Sequence, residues 1–225
     1  MLDFQKEFIE FSLKKKALTF GKYTLKSGRI SPYFFNTSVF YTGNDIIKLG
    51  YFYAHLIIYS KIKFNSLLGL AYKGIPIVVS TAIALNKQLN CNIPYAFNRK
   101  ENKKYGDYGS IVGNNNSKNN ILIIDDVITA GTAIRESITQ IQKNHLSVAS
   151  SSTNTKRISA AIVALNRNEI GYNNIASIKE IHTQYHCPVF SIITIQNLLQ
   201  FMIEEKITSY VEQLTLYLKK YSSSI

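Results

Sequence analysis

The segment Ile121-Leu122-Ile123-Ile124-Asp125-Asp126-Val127-Ile128-Thr129-Ala130-Gly131-Thr132-Ala133 constrains the fold of this chain more than any other. Four apolar residues run into two adjacent carboxylates, a Thr/Gly turn follows, and a helical pattern opens near Thr132. A short, dense apolar run reads as a buried strand. A strand that feeds a helix through a tight turn is the unit of an open α/β sheet, which binds ligands at the carboxyl ends of its strands. The turn gathers backbone N–H groups, hydroxyls and a helix N-terminus, a setting that suits a phosphate. Two carboxylates are compatible with a phosphate cradle when they face the hydroxyls of a phosphosugar, or hydrated Mg²⁺, rather than the phosphate itself. Two acids alone would equally fit a strand followed by a helix cap; Thr129, Gly131 and Thr132 favour the cradle.

The length of 225 residues fits one α/β domain with small additions, and 46% hydrophobic residues supply a core. The densest apolar stretch, Ile75 to Leu85, is too short and too interrupted to span a membrane. The residues Met1 to Glu7 lack an apolar signal core, so a cytoplasmic location is expected. Cys91 and Cys187 have no CxxC spacing and read as reduced, partly buried thiols. His182 and His186 stand at i,i+4, but no third ligand lies near them for a metal. The net charge of +12 fits nucleic-acid binding, steering of a polyanionic small substrate, or drift toward Lys and Asn. The lysines are dispersed and no nucleic-acid module is recognisable, which favours the last two.

Periodicity predicts an amphipathic helix over Phe4–Ser12, an aromatic hairpin or extended cover over Phe20–Phe35, and a helix over Asp45–Tyr59. A buried strand over Ser66–Ala71 leads to a helix opened by Gly74-Ile75-Pro76, where proline's missing donor costs little. A short strand is expected over Ile93–Phe97, a mobile loop over 98–113, and the central strand over 121–125 with a helix to Asn144. Strands over 158–165 and 189–192, a helix over 175–185 and closing helices over 194–218 complete the pattern. A Ser/Thr/Asn-rich stretch over 147–157 reads as a surface insertion. Strands alternating with helices predict an α/β fold with a mainly parallel, twisted sheet flanked by helices.

Four further clusters carry chemistry. Thr24 to Asn36 sets a cation beside a glycine turn and then stacked aromatics, which suits a flat anionic ring or, read blandly, a solvated hairpin. In Ala71-Tyr72-Lys73-Gly74 a lysine stands at a strand-to-helix turn, where a diphosphate could meet a cation and backbone N–H groups. Four cations fall within residues 99–104, and Gly106 and Gly109 flank them, a pattern for a lid. Arg167 follows a strand, and a guanidinium can grip a planar carboxylate through two parallel bonds.

These segments, in this order, resemble the orotate phosphoribosyltransferases, type I phosphoribosyltransferases that use phosphoribosyl pyrophosphate (PRPP). The likeness runs from the first helix to about residue 205. It rests on Leu25-Lys26-Ser27-Gly28-Arg29, Phe97-Asn98-Arg99-Lys100-Glu101 and Asp125 to Ala133 together. The last of these alone would indicate only a PRPP user; the aromatic hairpin and Arg167 point to orotate.

The resemblance implies a single domain over 1–225 with an N-terminal helix and hood over 1–40. It implies Mg²⁺-dependent transfer of ribose 5-phosphate from PRPP to orotate, giving orotidine 5′-monophosphate and pyrophosphate in pyrimidine biosynthesis. Lys26, Lys73, Arg99, Lys103, Asp125 and Asp126 would be the catalytic residues. Tyr72, Lys73, Arg99, Lys100, Lys103, Tyr105 and Lys26 would bind PRPP, with Asp125 and Asp126 on the ribose hydroxyls. Val127, Ile128, Thr129, Ala130, Gly131, Thr132 and Ala133 would hold its 5′-phosphate. Lys26, Phe34, Phe35, Thr129 and Arg167 would form the orotate pocket. Mg²⁺ would be held mainly by PRPP and water near Asp125 and Asp126, with no direct protein ligand. A homodimer sharing loop residues across its interface and association with orotidine 5′-phosphate decarboxylase are further implications; nucleic acid and membrane are not among the expected partners.

Two departures stand out. Relatives carry Lys-x-His-Gly in the loop where this chain has Lys103-Lys104-Tyr105-Gly106, and Asp where it has Asn166. A tyrosine does not titrate near neutrality, which puts an acid role at position 105 in doubt. A phosphoribosyltransferase for another base, or a PRPP-sensing regulator without catalysis, are the alternative readings. The first is set apart by Arg167, the second by the nucleic-acid module it would carry.

Overall fold

The structure is a computed structural model. It describes all residues except 26, 104–108, 115–119, 147–156, 171–174 and 223–225, and gives backbone only at 102, 103, 109, 142–146 and 157. The chain orders as α1 (Asp3–Lys14), β1 (Leu18–Thr24), β2 (Ile30–Phe35), α2 (Gly43–Ser60), β3 (Ser66–Gly69) and α3 (Gly74–Leu89). There follow β4 (Tyr95–Lys103), β5 (Gly109–Gly113), β6 (Asn120–Ile128), α4 (Thr132–Leu146) and β7 (Arg157–Asn166). The last elements are α5 (Ser177–Tyr185), β8 (Val189–Thr194), α6 (Ile195–Glu204) and α7 (Val211–Tyr221).

Six strands form the main sheet in the order β5-β4-β3-β6-β7-β8. All neighbours are parallel except β4 and β5. β6 and β7 are interior strands whose two faces are both apolar, the condition for a strand covered by helices on either side. Strand alternation sends Leu122, Ile124, Ala160, Ile162 and Ala164 into one hydrophobic cluster, with side chains from α1, α2, α3, α6 and α7. It sends Ile121, Ile123, Ala161 and Val163 to the other face, against Ile134, Ile138 and Ile141 of α4 and Ile181 of α5. The hood is a separate antiparallel pair, β1 with β2. It packs on α7 and the residue before it, Phe20 against Tyr210 and Tyr33 against Tyr217, with ring centroids 5.3 and 6.2 Å apart.

Two boundaries differ from the sequence-based expectation. β6 continues three residues past Asp125, because β7 keeps pairing with it through Val127↔Leu165 and Ile128↔Asn166. Asp125 and Asp126 therefore stand within a strand that outruns its other neighbour, β3, whose last pair is Gly69↔Ile124. The region 98–113, expected as loop, begins and ends in strand. β4 extends to Lys103 and pairs antiparallel with β5 through Asn98↔Ile111 and Lys103↔Gly109. Lysine and arginine are tolerated in this edge hairpin because one side of it faces no further strand. The stretch 147–156 and Tyr105 lie outside the described residues.

Candidate active site

The carboxyl edge of β3, β4 and β6 brings three of the predicted segments together. Between β3 and α3 the chain turns through Leu70 to Lys73, and the Gly74 N–H donates to the Leu70 carbonyl at 2.8 Å. Only glycine fits at position 74, where a Cβ would sit 2.8 Å from the Ile124 carbonyl oxygen. The Ala71–Tyr72 peptide bond is cis. The Ala71 N–H donates to Asn98 Oδ1 at 2.6 Å, tying this turn to β4 just before Arg99 and Lys100. Tyr72 is 72% exposed at the rim.

Lys73 reaches across to the paired acids. Its Nζ lies 3.0 Å from Asp126 Oδ2, which also accepts the Thr37 hydroxyl at 3.1 Å. Asp126 Oδ1 accepts the Val127 N–H, and Asp125 Oδ1 accepts the Asp126 N–H, both at 2.9 Å. The buried Tyr53 hydroxyl donates to the Asp125 carbonyl at 2.7 Å, so the strand backbone is held from beneath. Burial, then the adjacent Asp126 charge, pushes the Asp125 carboxyl up to about 7, while Lys100 and Lys73 pull the other way. The acids thus form a site of excess negative charge that a nearby cation relieves.

The turn from β6 into α4 is the predicted cradle. Gly131 adopts φ +75° and is buried, a left-handed conformation that glycine takes without a Cβ penalty. Thr129, Thr132 and Ala133 are exposed around it. No acidic residue occupies the first turn of α4, so its amide end keeps its positive character. Two residues that the motif reading missed fix this turn. Arg135 donates to the Ala130 carbonyl and to Glu180, both at 2.6 Å, and Ser177 donates to the Thr129 carbonyl at 2.5 Å. The only sequence signal for Arg135 was its place one turn into α4.

The residues predicted for the base pocket differ in their surroundings. Phe34 and Phe35 were expected to line it together, but adjacent strand residues face opposite ways. Phe34 is 40% exposed and stacks on Tyr23, whereas Phe35 is buried against Phe8. Arg167, expected to grip the carboxylate of the base, is only 3% exposed. Its Nε donates to Glu169 Oε1 at 2.6 Å, and its Nη2 to Ser31 Oγ at 2.9 Å and Tyr217 Oη at 3.1 Å. The guanidinium carbon lies 4.2 Å from the centre of the Tyr33 ring. β7 ends at Asn166, Glu169 three residues on supplies the counter-charge, and Ser31 of the hood and Tyr217 of α7 close on the guanidinium. Lys26 and Tyr105 lie outside the described residues, as does the Lys103 side chain.

This arrangement has solved counterparts. A crystal structure of orotate phosphoribosyltransferase from Francisella tularensis superposes with a TM-score of 0.80 at 38% identity, over 96% of this chain and 100% of that one. Sheet order and superposition make this protein a phosphoribosyltransferase of type I. Curated relatives narrow the assignment: an orotate phosphoribosyltransferase from Buchnera aphidicola is 48% identical over 221 residues, 98% of this chain and 99% of its own. One from Escherichia coli O45:K1 is 47% identical over 206 residues, 92% of this chain and 91% of its own. The chain belongs to the orotate phosphoribosyltransferase family and is a pentosyltransferase. No family model matches it.

Proposed function

We propose that the protein transfers ribose 5-phosphate from PRPP to orotate, giving orotidine 5′-monophosphate and pyrophosphate, a step of pyrimidine biosynthesis. The observation that carries the reading is the Asp125–Asp126 pair on β6, bridged to Lys73 and followed at once by the Gly131 turn and the α4 N-terminus. Family membership supplies the choice of base.

In this reading Asp125 and Asp126 accept bonds from the ribose hydroxyls, and the backbone and hydroxyls of 127–133 hold the 5′-phosphate. Lys73, Arg99, Lys100 and Lys103 face the diphosphate, with Tyr72 beside it and Tyr105 on the same lid. As the bond to diphosphate loosens, positive charge builds on the sugar and negative charge on the leaving group. The paired acids favour the first and the cations the second, and Lys73 is already held on Asp126 before reaction, which limits reorganisation there. Orotate, already anionic, meets Thr129, Arg167 and Lys26 and needs no strong general base. The β4–β5 hairpin, as a lid, would keep water from the activated sugar.

Magnesium fits the residues present. Among the described residues no group of three His, Cys, Asp or Glu could hold a metal by itself. The Asp125 carboxyl, raised by burial and by Asp126, is a place where a cation is electrostatically welcome. Mg²⁺ arriving on the diphosphate and water would stabilise leaving-group charge there. A homodimer with shared lid residues, association with orotidine 5′-phosphate decarboxylase and a cytoplasmic location complete the proposal. Among the described residues no helix is long and apolar enough to cross a membrane.

The test is loss of orotate absorbance with PRPP and Mg²⁺ present, with each omitted singly, and with uracil or hypoxanthine in place of orotate. Turnover that needs orotate, PRPP and Mg²⁺ supports the reading. Turnover of another base instead, or PRPP binding without turnover, overturns it.

A further inference from the structure

Arg167 is gripped more elaborately than a lone ion pair requires. Three protein groups take its Nε and Nη2, and they come from three separate places: Glu169 beyond β7, Ser31 on β2 and Tyr217 on α7. The Tyr217 hydroxyl accepts from Arg167 Nη2 and donates its own proton to Glu169 Oε1 at 2.5 Å, so one side chain orients both members of the pair. Glu169 Oε2 meanwhile takes Arg29 Nη1 at 2.9 Å.

The charge count is unbalanced. Two guanidiniums share one carboxylate, and Arg167 and Glu169 are nearly completely buried. Such a cluster is weak as a stability device, since desolvation offsets much of its attraction. It does leave one unit of positive charge that a further carboxylate would neutralise. The Tyr33 hydroxyl, fully buried beside the cluster, has no partner among the described residues, so the polar groups here are not arranged to satisfy one another alone.

We propose that Tyr217, with Ser31, is a positioning residue for base recognition. They hold the Arg167 guanidinium by Nη2 in the one orientation that meets the carboxylate of the base, which makes the C-terminal helix α7 part of the specificity device. The inference rests on the reading that Arg167 recognises the orotate carboxylate, and its test separates the two.

The experiment is equilibrium binding of orotidine 5′-monophosphate and uridine 5′-monophosphate, which differ by that carboxylate, to the full chain and to Tyr217→Phe, Ser31→Ala and Arg167→Lys. The wild-type chain should prefer orotidine 5′-monophosphate by about tenfold or more. Tyr217→Phe should reduce that preference by about tenfold, with uridine 5′-monophosphate affinity kept. The KM for orotate should rise with it while the KM for PRPP holds. A merely structural tyrosine would weaken both ligands alike. If Tyr217→Phe fails to fold, Ser31→Ala gives the same reading. A preference that collapses in Arg167→Lys but persists in Tyr217→Phe and Ser31→Ala overturns the positioning role alone. A wild-type chain that binds both nucleotides equally overturns the carboxylate role of Arg167, and this inference with it.

Discussion

Lys73 Nζ stands 3.0 Å from Asp126 Oδ2, so the cation proposed for the diphosphate is held by one of the two acids proposed for the ribose. The Lys73 side chain is 43% exposed, and an ion pair so open to water contributes at most about 1 kcal/mol to folding. Its purpose is then better sought in ligand binding. Lys73→Ala should leave the urea midpoint almost unchanged while lowering kcat/KM for PRPP by roughly a hundredfold, as loss of a charge-stabilising donor does. Equal kcat/KM in the variant, or an unfolded variant, would show the pair to be structural.

The second acid makes a prediction about pH. Burial and the Asp126 charge raise the Asp125 carboxyl from an ordinary 3.8 to about 7. Below pH 3.8 folded and unfolded chains are both protonated there, and the site carries no charge penalty. Between 3.8 and about 7 the folded chain keeps a proton that the unfolded chain has released, so stability falls as pH rises; above 7 the penalty is constant. Asn imitates the protonated form and retains the Oδ1 that accepts the Asp126 N–H. Asp125→Asn should therefore unfold with the wild type near pH 4 and be more stable at pH 8, by on the order of a few kcal/mol, despite its loss of activity. Denaturant midpoints at the two pH values check this; a gap independent of pH would show that Asp125 titrates normally.

How much of this was legible in the sequence depended on how local the cause was. The run 121–124 declares itself because a strand buried on both faces must be apolar throughout. The end of β6 does not, because backbone pairing with β7 carries the ladder past Asp125 whatever its side chain does. The β4–β5 hairpin was hidden by its charges, which a sheet edge accepts and a pattern of apolar alternation misses. The glycine turn after β6 and the placing of Lys73 at the head of α3 were readable from neighbouring residues. The surroundings of Arg167 were not, since Ser31 and Tyr217 approach it from 136 and 50 residues away in the chain.

Tyr33 tests the polar cluster from the opposite side. Its hydroxyl is buried and has no partner among the described residues, while its ring lies under Arg167. An unsatisfied buried hydroxyl costs about 1–3 kcal/mol, and phenylalanine presents nearly the same ring face to the guanidinium. Tyr33→Phe should thus be as stable as the wild type or more stable by about 1 kcal/mol. Marked destabilisation in a urea titration would show that the hydroxyl is bonded in solution.

Arg135 gives a prediction that no motif supplied. It donates to the Ala130 carbonyl inside the cradle and to Glu180 on α5, both at 2.6 Å, and both side chains of the ion pair are largely buried. The cradle can meet a phosphate only if the turn between β6 and α4 stays in one conformation, since each amide must point at the anion when it arrives. Methionine at 135 keeps the length and apolar stem of arginine but neither donor, which frees the Ala130 carbonyl. It also leaves Glu180 without this partner, at a site 12% exposed where water at the rim can replace part of what is lost. Arg135→Met should therefore fold, with a melting temperature lowered by a few degrees, as a loss of about 1 kcal/mol produces in a domain of this size. Its KM for PRPP should rise several-fold, because the lost interaction shapes the turn proposed to hold the phosphate, while its KM for orotate stays near wild type. Steady-state kinetics with each substrate varied in turn decides it: parallel rises in both constants would mean that Arg135 only braces α4 against α5, and that the cradle keeps its shape without it.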